Sequence, residues 1–282
     1  MAMLWQDRRG RFSTLRAVTL VALFLPALAI LYFALTGGLA PRPRTEAIHE
    51  SGLWTIRFLL VTLAITPMRR IAHYPLLVDV RRMIGVACFC YIGLHFVIYI
   101  ADMKYDLAMV FSEIVAHIYL TIGFTALLGL AVLAATSNDY MVRKLGGVRW
   151  RKLHWLVYPI MLLGIIHYFM QSKLEVFEPT VVAGLFTWLM LYRVAHWTLP
   201  TRFKSAGGEF PLVFIGGLGV VAALLDFLGE ALGYNLVYHA DIAQVLQVDW
   251  DFSAGMRPGW YVLIAGALIV AIAIWRRLKS AH

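Results

Sequence analysis

Apolar residues run through this chain in long unbroken blocks, separated by short clusters of arginine, glycine, proline and acidic residues. Blocks of about twenty residues, at ~1.5 Å of helical rise each, match the ~30 Å hydrocarbon core of a bilayer. The pattern predicts eight spans, near Leu15–Leu35, Leu53–Met68, Met83–Ile100, Ile114–Thr136, Leu153–Met170, Val181–Leu199, Phe210–Leu228 and Trp260–Trp275, the second being the shortest. Helices are predicted rather than a β-barrel, because the runs are continuous and not alternating. A polar break at Arg202–Glu209, with Ser205-Ala-Gly-Gly208 inside it, divides six helices from the last two. Connections are otherwise short. The longest, from about Gly229 to Gly259, contains Asp241–Val248, which is predicted as a short interfacial helix. The fold expected is an all-α polytopic membrane protein.

Composition agrees, with 61% hydrophobic and 15% charged residues against the roughly 25% charged of soluble domains. A net charge of +9 by itself suggests a nucleic-acid partner, but its placement argues against one. Counting alternate connections, one side carries Arg8, Arg9, Arg11, Arg16, Arg69, Arg70, Arg81, Arg82, Arg143, Lys144, Arg149, Arg151, Lys152, Arg193, Arg202, Lys204, Arg276, Arg277 and Lys279. The other carries only Arg42, Arg44, Arg57, Lys104, Lys173 and Arg257. A bias of about three to one is the positive-inside signature, which predicts an inner-membrane protein with both termini cytoplasmic and no nucleic-acid partner. The first span follows basic residues as a signal peptide does, yet no small-residue cleavage site precedes Thr36-Gly37-Gly38, so an uncleaved anchor is expected. Cys88 and Cys90, two apart on one helix, point to different faces and are read as core residues.

Ionisable residues inside such spans are costly and mark sites. His95 lies in the third predicted span, and His154 and His167 lie at the two ends of the fifth. The third and fifth spans run in the same direction, and His95 and His167 stand at about the same depth, four to six residues from the outer end. Neutral imidazole is a haem ligand, so the pair is predicted to sandwich one b-type haem from both sides. His154 lies about 20 Å further in, a plausible spacing for a second haem. The position opposite it is Arg82, which is no ordinary iron ligand; it is read either as a topology charge or as a partner for a propionate. Thirteen residues also leave His154 and His167 roughly 140° apart around an ideal helix, unless Pro159 changes the phase. The remaining histidines are read as interfacial or loop residues: His49, His73, His117, His196, His239 and His282. Asp226 and Glu230 share a face at i, i+4 and are read as residues leaving the membrane, or as a proton relay. No phosphate-binding glycine loop, nicotinamide fingerprint or metal-hydrolase motif is present.

Three stretches carry a family likeness: Ile65-Thr-Pro-Met-Arg-Arg70, the run from Arg81 to His95, and the run from Leu153 to Tyr168. They resemble the MsrQ (YedZ) branch of the ferric-reductase-like transmembrane family, over roughly residues 10–200. The resemblance implies a haem-binding transmembrane domain over residues 1–204 and a two-helix extension over 205–282. It implies haem b, one or two, held by His95, His167 and His154 with Arg82 in the position of a vacated ligand, and also FMN, for which no motif is found. It implies an electron-transfer subunit rather than an enzyme. Electrons from the quinone pool or a cytosolic flavin reductase would pass to an MsrP-like periplasmic molybdopterin reductase, which reduces methionine sulfoxide in oxidised proteins. Two other readings stay open. One is a self-contained ferric or oxygen reductase, which normally adds a flavin and nicotinamide domain where this chain stops at Ser280-Ala-His282. The other is a transporter or scaffold without redox function, whose polar lining would be spread over several helices.

Overall fold

Helices carry almost the whole chain. The computed structural model describes residues 3–6, 10–172, 175–204 and 208–280; Arg8, Arg9, Lys173, Ser205 and His282, used in the charge and linker readings above, lie outside the described residues. The first compact unit comprises Met1–Thr62 and Leu76–Gln171, the second Leu63–Pro75 and Ser172–His282, so the division falls within one helix.

In the first unit α1 (Thr14–Thr36) is capped by Ser13, whose side chain accepts from the Arg16 amide. It is followed by α2 (Pro43–Ile71), α3 (Val78–Asp102), α4 (Leu107–Ala116) and α5 (Ile118–Ala135). Two short basic helices, α6 (Asp139–Leu145) and α7 (Gly147–Leu153), and a 3-10 turn at His154–Leu156 lead into α8 (Val157–Ser172). α3 packs on α1 and α5, and α4 packs on α5. The outward faces are apolar, as Val21, Phe24, Leu25 and Leu28 of α1 show; such a face suits lipid and not water.

The second helix is not the shortest but the longest, at 29 residues. Arg44, Glu46, His49 and Glu50 precede the second expected span, yet they form the first turns of α2. His117 divides the fourth expected span. Its extended backbone (φ −118°, ψ 114°) ends α4 and begins α5. Pro159 falls in the first turn of α8, where its missing N–H costs no helical hydrogen bond, and His154 itself stands in the 3-10 turn before it.

In the second unit α9 (Phe177–Thr198), α10 (Leu212–Tyr238) and α12 (Pro258–Ser280) pack on one another, and α11 (Ile242–Val248), capped by Asp241, fills the α10–α12 connection as expected. A Cβ on Gly219 of α10 would lie 3.3 Å from the Gly266 backbone of α12. Small residues allow this close crossing where apolar burial gives no help. Seven helices among the described residues are long and apolar enough to cross a membrane, namely α1, α2, α3, α5, α8, α10 and α12 with their flanking turns. The sixth expected span exists as α9, which carries Glu178, Arg193 and His196 and falls short of the others in apolarity. The chain is a multi-pass, all-α membrane protein.

One contact inside the first unit ties α1 to α3. Pro26 lies within α1 and removes a helical hydrogen bond. Beside it the Tyr91 hydroxyl accepts from the Ala27 amide at 2.9 Å and donates to the Leu23 carbonyl at 2.7 Å. It bridges two backbone groups that stand at i and i+4. Removing it with Tyr91→Phe leaves both without that partner in a waterless setting, at about 1–3 kcal/mol. The expected result is a lower thermal unfolding midpoint in detergent, with helix content at low temperature unchanged by circular dichroism.

Candidate functional site

The site begins with two imidazoles on α3 and α8. His95 and His167 are brought together, with ring centres 6.4 Å apart and ring planes at 84°. The Nδ1 of His95 lies 2.8 Å from the Ile48 carbonyl of α2. That of His167 lies 2.8 Å from the Tyr119 carbonyl of α5. A carbonyl only accepts, so each ring carries its proton on Nδ1 and donates it. The Ile48 carbonyl also accepts from the Ser51 hydroxyl at 3.0 Å. Among the described residues neither Nε2 has a hydrogen-bond partner.

This is the donor set that an iron between two helices needs. Metal-bound histidine characteristically hands its other N–H to a carbonyl, which fixes the tautomer and makes the ligating nitrogen more basic. With metal–imidazole bonds of about 2 Å on either side, two rings ligating one ion have centres roughly 6 Å apart. The 6.4 Å separation fits, and so do two unpartnered Nε2 atoms in membrane-spanning helices. No group of three or more histidine, cysteine or acidic residues suited to a free metal ion occurs among the described residues. The pair therefore suits an ion whose remaining ligands come from a macrocycle.

His154 is placed differently. It sits in the 3-10 turn before α8, stacked on Trp150 with ring centres 3.9 Å apart. Its Nδ1 lies 3.0 Å from the Trp150 carbonyl and its Nε2 lies 3.3 Å from the Ser137 hydroxyl. A carbonyl only accepts, so Nδ1 carries the proton, and the Ser137 hydroxyl against Nε2 donates to the Leu133 carbonyl at 2.7 Å. Arg82 makes a 2.6 Å ion pair with Asp139 at an exposed edge. Of the lower-ranked histidines, His49 lies within α2, His117 bonds to Glu113, and His73 and His239 take positive φ in loops.

Sequence reasoning missed Glu209. It was placed in a linker, but it is 3% exposed and accepts from Tyr192 at 2.8 Å, from His196 at 3.1 Å and from the Phe210 amide at 2.9 Å. It forms the floor of a pocket of 580 Å³ with Arg69, Arg70, His73 and Lys204 on its walls. The adjoining Phe210, wholly buried, was the available signal, since an acid next to a core aromatic is rarely a linker residue.

Comparison with known proteins bears on the first unit above all. The family described as the ferric reductase like transmembrane component matches residues 51–165. A protein-methionine-sulfoxide reductase heme-binding subunit MsrQ from Herminiimonas arsenicoxydans is 35% identical over 197 residues, 69% of this chain and 90% of that one. The protein of the same name from Rhodospirillum rubrum is 37% identical over 207 residues, 73% of this chain and 95% of that one. The one from Xanthomonas campestris is 40% identical over 153 residues, 54% and 70% of the two chains. No solved structure matches.

Beyond residues 51–165 the second unit holds a buried charge cluster. Glu230 of α10 pairs with Arg257, and Arg257 Nε stands 3.5 Å from Asp249 Oδ1, at the limit of a hydrogen bond. Asp226, one turn before Glu230, leaves its Oδ2 without a partner, and neither Asp249 oxygen has a good one. Asp249 lies between α11 and α12, outside the spans. Burial pushes its carboxyl above the ordinary value, and the Arg257 charge only partly opposes this. An acid raised on folding binds its proton more tightly when folded. Stability is therefore lost as pH rises from the unfolded value of about 3.9 through the raised folded one. Asp249→Asn removes that loss. The variant is expected to melt above wild type at pH 7–8, with the gain shrinking toward pH 4, in detergent melts across that range.

Proposed function

The chain belongs to the MsrQ family of protein-methionine-sulfoxide reductase heme-binding subunits, and from that premise we propose that it is a membrane electron-transfer subunit carrying haem b. The observation that carries this reading is the His95–His167 pair, with ring centres 6.4 Å apart, each Nδ1–H on a helix carbonyl and neither Nε2 hydrogen-bonded among the described residues. Haem b held there supplies one-electron redox chemistry. Held by both His95 and His167, such a haem would offer no open position to a substrate. Sulfoxide reduction therefore belongs to a partner.

The chain's own residues do three things in this scheme. His95 and His167 would hold the iron. Ile48 and Tyr119 fix the two tautomers. The apolar faces around them, Phe96 and Phe124 among them with ring centres 5.6 Å apart, keep water away and keep the site in a low dielectric. The distribution of basic residues supports a bacterial inner-membrane protein with both termini in the cytoplasm and the histidine pair toward the outer leaflet. Electrons then run outward, from the quinone pool or a cytosolic flavin reductase, to an MsrP-like periplasmic molybdopterin enzyme that repairs oxidised methionine in proteins.

We read one haem per chain, because His154 stacks on Trp150 with the Ser137 hydroxyl against its Nε2, and Arg82 is paired at the surface. FMN rests on the family likeness alone, and no residue here is assigned to it. The two relatives matched over 90% and 95% of their length account for about 200 residues of this chain. That supports a haem-binding domain over 1–204 and an added pair of helices over 205–282.

Haem counted by pyridine haemochrome, together with a reduced-minus-oxidised spectrum of the detergent-purified chain, tests the assignment. His95→Ala and His167→Ala are each expected to lose the low-spin b-type signal, while His154→Ala keeps it. Full haem in either of the first two variants defeats the pairing. A haem-free, well-folded wild type from haem-replete cells defeats the function.

A further inference from the structure

Each of the two imidazoles rests against a glycine of the neighbouring helix, and the two arrangements are alike. A Cβ on Gly52 of α2 would stand 2.9 Å from His95 Nδ1 and 3.1 Å from its Cε1. On Gly123 of α5 it would stand 2.8 Å from both Nδ1 and Cε1 of His167. Contacts below 3.0 Å require a shift. The carbonyl that accepts from His95 belongs to Ile48, four residues before Gly52. The one that accepts from His167 belongs to Tyr119, four residues before Gly123. In a helix, residues i and i+4 lie one above the other on the same face. The absent Cβ thus opens a notch directly over the accepting carbonyl.

We propose that Gly52 and Gly123 are positioning residues for the haem ligands: each notch admits one imidazole to the helix backbone, holds it as the Nδ1–H tautomer and presents Nε2 to the iron. The inference rests on the haem reading above and deepens it. Glycine weakens a helix interior relative to alanine, so its presence inside two apolar helices calls for a local reason. Other helical glycines of the same unit lack this geometry. Gly93, on the helix that carries His95, has nothing within 4 Å of its would-be Cβ, and Gly164 has only an ordinary contact at 3.6 Å with Ile56.

The ring cannot simply yield to an added methyl. Its Nδ1–H is committed to a carbonyl at 2.8 Å, and moving the ring away lengthens that bond and turns Nε2 at the same time. The chemical consequence is specific. Donation from Nδ1–H makes Nε2 a stronger donor to the metal and so favours oxidised iron. Weakening it raises the midpoint potential.

The test uses the full chain, purified in detergent from haem-replete cells, as wild type, Gly52→Ala, Gly123→Ala and the control Gly93→Ala. Read-outs are haem per chain, the low-spin electron paramagnetic resonance signal and the midpoint potential. Loss of an outer-shell partner costs about 10- to 100-fold in metal affinity, so each seat variant is expected to bind haem that much more weakly. The haem it retains should have a raised potential and shifted low-spin g values. Gly93→Ala is expected to match wild type. Because alanine favours helix, a loss confined to the seat variants is not explained by a weaker helix.

Unchanged haem content, g values and potential in both seat variants overturn the proposal. Should the seat variants not fold, pulsed resonance on ¹⁵N-histidine-labelled wild type decides. An exchangeable proton on the remote nitrogen of both ligands supports the seats, and its absence overturns them. Haem present in wild type, lost in His95→Ala and unaltered in the glycine variants removes the seats and leaves the function intact. A wild type without haem removes the function, and the purpose of the seats with it.

Discussion

A polar group within a bilayer has no water to turn to, so an N–H, hydroxyl or guanidinium inside the spans is costly unless it finds an acceptor in the chain itself. Much of this structure follows from that requirement. The Tyr91 hydroxyl bridges backbone groups beside Pro26. Arg193, 6% exposed in α9, spends its guanidinium on the carbonyls of Leu189 and Leu63. Thr55 and Thr62 return their hydroxyls to carbonyls four residues earlier in α2. The same requirement sends one nitrogen of His95 and one of His167 to a helix carbonyl. Imidazole has two nitrogens, and once the first is committed, the second is left with the chemistry of a ligand. The membrane thereby selects the tautomer that an iron site uses.

A helix carbonyl already accepts its own backbone N–H, and only a small residue above it leaves a second donor room to approach. Glycine therefore serves two ends in these helices. Between α10 and α12, Gly219 and Gly266 let two backbones cross closely. At Gly52 and Gly123 the same lack of a side chain admits a ring instead. The substitution that is helpful in an exposed helix, glycine to alanine, is harmful at both kinds of place, but for different reasons and with different read-outs.

How much of this the sequence disclosed depends on the range of the interaction concerned. Membrane spans are written in local composition, and each of the eight expected segments is mainly helical, seven of them apolar enough to cross a membrane and the fourth broken at His117. The depth of His95 and His167 follows from helical rise alone, so their meeting was legible. The start of α2 was not, because Arg44, Glu46, His49 and Glu50 fall before the apolar run, although α2 begins at Pro43 and its Ile48–Gly52 stretch receives His95. Charged residues at a helix end near the interface satisfy both water and helix, and hydropathy averages cannot see that. The glycine seats depend on which helix face meets which ring, and Glu209 on a packing partner thirteen and seventeen residues away in the chain. Neither leaves a periodic trace.

His154 shows how far spacing and surroundings can part. It shares a sequence neighbourhood with His167, and by depth alone it resembles the inner member of a second pair. It sits in the 3-10 turn at His154–Leu156, against the Trp150 ring and between Trp150 O and Ser137 Oγ. Those contacts join the short basic helices to the end of α5. His95 and His167 meet across two helices instead, each with one nitrogen on a carbonyl and, among the described residues, no hydrogen-bond partner at the other. On the reading proposed above, that difference is what suits the outer pair to iron. Depth along the sequence locates a histidine inside a membrane, and its neighbours decide what its second nitrogen can do.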